Sequence, residues 1–277
     1  MNRLITPMVI AALLMAPAGW AEAVSFTTFE AAGANPAAIT PTRDAFRAAV
    51  GGGTVAGANG SFGGLRREVN WDGVPDAFSD PNALPANFFN TNSPRGVVFS
   101  TPGTGFLVSA NAGLGTPALF GFPSDFQTFS PQKLFTAVNS NVTDVSFFLP
   151  GTTIPALTSA FGVIFVDAEV AGLTKLELFD EHDSLIYTRD ALVTGNQGLS
   201  FLGAVINGDG RIGRARLTAG LNTIVSNGVL GNQNDDVVVM DDFLFAEPTA
   251  VPEPASLLLC GTGLAALVAW RRRKPRT

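Results

Sequence analysis

The chain is poor in the residues from which many catalytic and metal sites are built. Its 277 residues include 1 histidine and 1 cysteine. A single histidine argues against the usual zinc sites, which need several His or Cys ligands, and no Gly-x-Ser-x-Gly motif marks a hydrolase nucleophile. His182 lies in the charged segment 180–183, which is typical of a solvated turn. The oxygen-rich segment 232–236 lacks EF-hand spacing and is interpreted as a polar loop.

Cysteine and charged residues are both scarce, and this limits which disulfide bonds and which binding partners the protein can have. Cys260 lies in an apolar run near the C-terminus, so we expect no disulfide bond in the body of the protein. Charged residues make up 14% of the chain, and its net charge is −6. This acidic balance argues against nucleic acid as a partner and suits solubility, cation binding or a hydrated anionic matrix.

No apolar run of the sequence reaches the ~20 residues of a permanent membrane span. The C-terminal run covers residues 255–270. It is preceded by Val251, Pro252, Glu253 and Pro254, and followed by Arg271, Arg272, Arg273 and Lys274. By the positive-inside rule the basic cluster stays in the cytoplasm, which places the preceding chain outside.

This order of motif, apolar run and basic cluster resembles the PEP-CTERM sorting signal of exopolysaccharide-producing Gram-negative bacteria. The resemblance implies that an exosortase, a membrane-embedded cysteine transpeptidase, recognises Pro252, Glu253 and Pro254 and cuts at or near them. It also implies transient anchoring in the inner membrane, and then transfer to the cell surface or extracellular matrix. A plain membrane anchor is the alternative interpretation.

The N-terminus predicts export through a signal peptide. Arg3 is followed by an apolar stretch at 9–15, and residues 21–23 fit the small-x-small rule for cleavage by signal peptidase. We therefore expect a signal peptide at 1–23, a β-sandwich domain at 24–249 and a sorting tail at 250–277.

The body consists of short apolar stretches separated by turn residues. The sequence predicts one helix, with its N-cap at Thr40 and its end at Gly51. The predicted strands are 96–100, 106–110, 142–149, 161–167, 173–179, 184–188, 200–206, 213–218 and 237–245. This series favours an all-β fold: an antiparallel, jelly-roll-like two-sheet sandwich with one short N-terminal helix and a C-terminal transmembrane sorting helix.

Several segments of the body are similar to an uncharacterised set of PEP-CTERM proteins. They are residues 67–76, 93–96, 101–106 and 238–243. This resemblance implies export and a β-rich fold, and it assigns no chemistry to the body.

Two adjacent carboxylates, Asp241 and Asp242, lie within a strongly apolar predicted strand. Alternation turns one of them toward the core or a sheet rim, where it needs a cation, an arginine or several N–H donors. Many carbohydrate-binding jelly rolls hold Ca²⁺ between a first-strand acid and a last-strand Asp, and Glu30 has the similar first-strand position. A structural calcium site of Glu30, Asp241 and Asp242 is one hypothesis. An ion pair with Arg214 or Arg216 is the other.

Trp71 is the best candidate for stacking on a sugar ring, because Asn70 and Asp72 beside it could bind sugar hydroxyls. The alternative is a tryptophan packed in the core, since most tryptophan is largely buried.

These features predict an exported, exosortase-processed surface or matrix protein that is not an enzyme and that associates with exopolysaccharide. Two alternatives stay open. One is a permanently membrane-anchored envelope protein. The other is a secreted polysaccharide hydrolase using two carboxylates. Its candidate residues are Asp72, Asp76, Asp80, Glu177, Asp241 and Asp242.

Overall fold

The computed structural model describes residues 24–110, 118–208, 211–225, 229–230 and 236–251. The helices there are α1 (Pro36–Val50) and α2 (Phe88–Thr91). The strands are β1 (Ser25–Gly33), β2 (Ser61–Phe62), β3 (Arg66–Val69), β4 (Val97–Ser100), β5 (Gly105–Val108), β6 (Phe135–Val138), β7 (Val142–Phe147), β8 (Ala156–Leu157), β9 (Ala160–Val166), β10 (Lys175–Phe179), β11 (Leu185–Asp190), β12 (Leu199–Asn207), β13 (Arg214–Thr218), β14 (Ile224–Val225), β15 (Val229–Leu230), β16 (Val239–Ala246) and β17 (Thr249–Ala250). None of the helices in these ranges is long and apolar enough to cross a membrane. The predicted signal peptide and transmembrane sorting helix lie outside the described residues.

Two sheets contain most of the strands. The large sheet has ten strands in the order β1-β12-β9-β16-β6-β14-β15, with β3 also paired to β16, β2 to β3 and β5 to β6. The small sheet has the order β11-β10-β13-β7-β4, while β17 pairs with β8. The β14–β6 pair is parallel, and the main ladders of both sheets are antiparallel. The predicted all-β fold with two antiparallel sheets is confirmed.

The two sheets pack face to face around an apolar core. Phe161 and Phe243 of the large sheet belong to the same buried cluster as Val145 and Phe147 of the small sheet. Phe147 and Phe161 are in edge contact, with ring centroids 6.1 Å apart. Val145 and Phe147 are both buried, since alternate residues of β7 lie on the same face of the sheet.

The opposite face of the large sheet is covered by α1 and the segment 119–129. Phe46 of α1 is fully buried, with its ring centroid 5.7 Å from that of Phe29 and 5.6 Å from that of Phe201. Gly203 makes room for it, since a Cβ added there would lie 2.7 Å from the Phe46 ring. Both faces of β9 are thus buried, which explains its unbroken apolar sequence.

Helix α1 begins at Pro36, earlier than the predicted start at Pro41. The Asn35 side chain caps the helix, and Pro36 occupies a first-turn position where its missing N–H costs nothing. Thr40 and Pro41 also form a capping residue followed by proline, the pattern of a helix start, but the structure places both inside the helix. The predicted end at Gly51 is confirmed, with φ at +92°.

The packing of α1 gives the first test. Phe46→Ala should lower the free energy of unfolding by roughly 3–5 kcal/mol, because it leaves a cavity between the helix and the sheet. Urea unfolding followed by circular dichroism measures the loss. The control is Asp44→Ala, at a side chain 52% exposed on the same helix. It should change the free energy by less than ~0.5 kcal/mol. Equal losses for the two variants would contradict this placement of α1.

Candidate functional site

Strand β16 carries a bulge at the two adjacent aspartates. Its register against β9 shifts between Met240 and Phe243. A bulge breaks the alternation of side chains between the two faces of a sheet. Asp241 is 0% exposed and Asp242 is 5% exposed, so both carboxyl groups are buried where alternation predicted one.

The Asp241 carboxyl group is held by residues 129 and 130, where the segment that covers the large sheet ends. The Phe129 N–H donates to its Oδ2 at 2.6 Å. The Ser130 hydroxyl lies 3.1 Å from Asp241 Oδ1 and 3.0 Å from Asp242 Oδ1, and it accepts a hydrogen bond from Asn70 Nδ2 at 2.9 Å. Backbone and hydroxyl donors therefore satisfy the buried carboxylate.

The two carboxyl groups have perturbed acidities. Burial raises the pKa of Asp241 well above its ordinary value, and repulsion from the Asp242 carboxylate raises it further. Burial also raises the pKa of Asp242. Both shifts favour the protonated form, because ionising both groups would place two charges side by side in the protein interior.

The structure does not bring Glu30 to this pair. Strands β12 and β9 separate β1 from β16. The distance is three strand spacings, or about 14 Å. Glu30 instead accepts a hydrogen bond from Arg189 Nε of β11 at 2.9 Å. The structure therefore contradicts a calcium ion shared by Glu30, Asp241 and Asp242. Among the described residues, no group of three or more His, Cys, Asp or Glu side chains is placed to hold a metal ion.

The alternative ion pair with Arg214 or Arg216 is also wrong. Both arginines lie on β13 of the small sheet and donate to Asp144 of β7, at 2.6 and 2.8 Å. Burial raises the pKa of Asp144, but the hydrogen bonds from Arg216 and Arg214 outweigh it and hold this pKa below its ordinary value.

Trp71 is a core residue. It is 0% exposed, its ring stacks on Phe135 at 4.1 Å, and it meets the ring of Phe243 edge-on at 5.1 Å. Its indole N–H donates to the Asp241 carbonyl at 2.9 Å. Because neither ring face is exposed, Trp71 cannot stack on a sugar in this structure, and the alternative interpretation holds.

The other candidate carboxylates lie in different surroundings. Asp72 accepts the Lys133 N–H at 2.8 Å, and Asp76 lies 3.3 Å from Lys133 Nζ. Asp80 is 3% exposed, and burial raises its pKa. Glu177 lies on β10 of the small sheet. Asp72 thus contacts the backbone of Lys133 and Asp76 contacts its side chain, while Glu177 lies on the small sheet.

A cavity of about 500 Å³ lies at the end of the large sheet where β9 finishes. Its polar lining consists of Asp125, Asp167, Glu169, Asn196 and Asp236, and its apolar lining of Phe122, Phe126, Val170, Leu230 and Val237. The lining residues that the structure describes thus include four carboxyl groups and no basic side chain.

Asp167 is the most buried carboxyl group of this acidic cavity. It directly follows β9, is 7% exposed and accepts the Gln197 N–H at 2.8 Å. Burial, and after it repulsion from Glu169, Asp236 and Asp125, raises its pKa to about 7. A carboxyl group poised near neutral pH, inside a cavity, has the character of a functional residue.

Amide side chains fix the walls of the acidic cavity. Asn196 Nδ2 donates to the Ser124 carbonyl at 2.9 Å, and Gln197 Nε2 donates to the Pro123 carbonyl at 2.6 Å. Gln127 Nε2 returns a hydrogen bond to the Gln197 carbonyl. The wall at 122–127 is therefore tied to the segment after Asp167, so the cavity is preformed. Its carboxyl groups are suited to hydrogen bonds with hydroxyl groups or to a positive charge.

The acidic cavity is not among the sites that the sequence predicts. Its pattern places Asp167 at the end of a strand and Asp236 in the polar loop at 232–236, of which residues 232–235 lie outside the described residues. The four carboxyl groups are spread from Asp125 to Asp236, so no local motif joins them. The one signal of the cavity in the sequence is that two carboxyl residues, Asp167 and Glu169, come just after an apolar strand.

Comparison with known proteins identifies the C-terminal segment. Residues 250–274 match the PEP-CTERM protein-sorting motif. This match confirms the predicted sorting tail, and it implies an exported protein that an exosortase processes and that is sorted to the cell surface. Comparison with curated proteins and with solved structures finds no match for this chain. Most of the tail, including 252–254 and 271–274, lies outside the described residues.

The pKa of Asp167 predicts a pH-dependent stability. Because its folded-state pKa is raised from 3.8 to about 7, its stabilising contribution is complete below pH 3.8 and is lost as the pH rises through about 7. Asp167→Asn keeps the acceptor for the Gln197 N–H and removes the titration. The variant should therefore match the wild type at pH 4 and exceed its melting temperature at pH 8.

Thermal unfolding between pH 4 and 8, followed by circular dichroism, measures this difference. Asp44→Asn, on the exposed side of α1, is the control and should keep the wild-type pH dependence. An unchanged pH dependence in Asp167→Asn would count against this environment for Asp167.

Proposed function

Because residues 250–274 mark the chain for export and sorting, we propose that its body is a non-catalytic protein of the cell surface or extracellular matrix, associated with exopolysaccharide. The sorting motif is the observation that carries this proposal. We propose exopolysaccharide as the partner because the sorting tail resembles the signal of exosortase substrates, which occur in bacteria that secrete such polymers.

In this proposal the acidic cavity binds uncharged sugar residues. Its carboxyl groups and Asn196 exchange hydrogen bonds with sugar hydroxyls, while the half-buried Phe122 supplies an apolar surface for a sugar ring. The volume of about 500 Å³ suits a small ligand. Polymers of uronic acids should bind poorly, because four carboxyl groups line the cavity.

The binding test uses the processed protein and purified neutral exopolysaccharide from its host. Asn196→Ala should weaken binding at least about fivefold, or ~1 kcal/mol, because it removes a hydrogen bond to the sugar and also the bond to the Ser124 carbonyl that fixes the cavity wall. The control is Asn92→Ala, at an exposed amide beside α2, which should bind like the wild type. Isothermal titration calorimetry measures both. Equal binding by both variants, or tighter binding to a uronic acid polymer, would argue against this use of the cavity.

Processing is tested by the intact mass of the protein recovered from the host's surface and medium. We expect a mass that lacks residues 1–23 and the segment beyond the Pro-Glu-Pro motif. Any added mass would identify a covalently attached component. A protein that retains residues 271–277 would instead be the anchored envelope protein, the alternative interpretation of the tail.

The acidic cavity also supports a second candidate function, a polysaccharide hydrolase. A glycosidase needs one protonated and one ionised carboxyl group beside its substrate. Asp167, with a pKa of about 7, lies in the same cavity as Asp125 and Glu169. Release of reducing ends during the binding experiment, abolished by Asp167→Asn, would favour the hydrolase. Binding without any release favours the non-catalytic protein.

A further inference from the structure

The sorting tail leaves the body directly beside a paired strand. In the last pair of β17 and β8, Ala250 lies opposite Ala156, and the Thr249 hydroxyl bonds the Leu157 carbonyl at 3.5 Å. The apolar run of the tail begins at residue 255. The intervening residues 251–254 extend over at most about 14 Å. While the run is in the bilayer, Ala250 must therefore lie within about 18 Å of its apolar layer, the reach of the five Cα–Cα steps from Ala250 to residue 255.

Both ends of the described chain lie at the same end of the large sheet. The first pair of β1 joins Ser25 to Asn207 of β12. The next residue of the chain, Gly208, lines a small surface cavity together with Thr249. The predicted signal peptide and the sorting tail therefore attach to one end of the body, which we call the tail end.

The tail end also carries exposed apolar side chains. Leu65 is 54% exposed, and its carbonyl accepts the Glu247 N–H at 2.8 Å, just before β17. Ile154, close before β8, is 51% exposed, and Val251, just after β17, is 39% exposed. Exposed apolar groups beside a membrane tether are suited to the boundary of the lipid headgroups.

The acidic cavity lies at the opposite end of the large sheet. Strand β9 runs from Ala160, which pairs with Val205 near the tail end, to Val166, which is followed by Asp167. Seven residues of strand place these ends about 20 Å apart. A body held at its tail end thus presents the acidic cavity away from the membrane.

We propose that before processing the tail end of the body lies on the bilayer surface, with Leu65, Ile154 and Val251 at the lipid headgroups. The partner of this surface is lipid. The body then holds the Pro-Glu-Pro motif at the membrane surface, where a membrane-embedded enzyme can reach it while β17 stays paired. This inference rests on the sorting tail and not on what the cavity binds, so sugar binding and membrane contact can fail separately.

The test uses the full chain, purified from the membranes of a host that lacks the exosortase and placed in phosphatidylethanolamine–phosphatidylglycerol vesicles with nitroxide-labelled headgroups. The native cysteine is removed by Cys260→Ala. A fluorophore is then attached to Leu65→Cys or Ile154→Cys, and in the matched control to Val170→Cys, which is 46% exposed at the cavity end. The first two should lose most of their fluorescence to the nitroxide, and the control should keep it.

A spacer variant tests whether the short tether causes this orientation. A Gly-Ser insertion of about 12 residues after Ala250 gives a flexible reach of roughly 20 Å, which should reduce the quenching at residue 154. Equal quenching at residues 154 and 170 in the chain without the spacer would overturn the orientation. Quenching at neither residue in vesicles, with photo-crosslinking from residue 154 to the exosortase in cells, would overturn lipid as the partner.

Discussion

The bulge in β16 is the constraint on which much of this structure depends. The strand is buried along its whole length, and at its bulge it turns both Asp241 and Asp242 inward. The Asp241 carbonyl receives the indole N–H of Trp71, while its carboxylate receives the Phe129 N–H. One residue thus joins the aromatic core between the sheets to the segment that covers the outer face of the large sheet. Because that segment also forms the wall of the acidic cavity at 122–127, a buried carboxylate helps to position a surface site.

The ends of the described chain and the acidic cavity lie at opposite ends of the large sheet. At the tail end, a two-residue strand pair keeps the chain against the body up to Ala250. At the cavity end, loops after β9 and before β16 bring together carboxyl groups that are far apart in sequence. In the proposed function, this separation lets the cavity meet a polymer both before and after processing.

Local patterns predicted the elements well wherever a single physical cause decided them. Gly51 ends α1 because its φ lies in the left-handed region, and β7 alternates because one of its faces packs on the other sheet. The predicted start of α1 was wrong because Asn35-Pro36 and Thr40-Pro41 are equally good helix starts by residue type. The choice between them depends on what the first turn packs against. The calcium hypothesis failed because position along the chain does not reveal that two strands lie between β1 and β16.

The sequence by itself determined the destination of this protein, because the sorting motif is contiguous and its parts are recognisable in the sequence: the prolines of the motif, an apolar run and a basic cluster. It also determined the all-β class, since strand periodicity is local. Only the tertiary structure decided the roles of single residues. Trp71 is buried because the turn after β3 directs its ring into the core between the sheets. The pKa of Asp167 is raised first by its burial and then by repulsion from Glu169, Asp236 and Asp125, of which the last two come from distant segments. Strand order and burial are collective properties of the whole chain, and no short stretch of sequence encodes them.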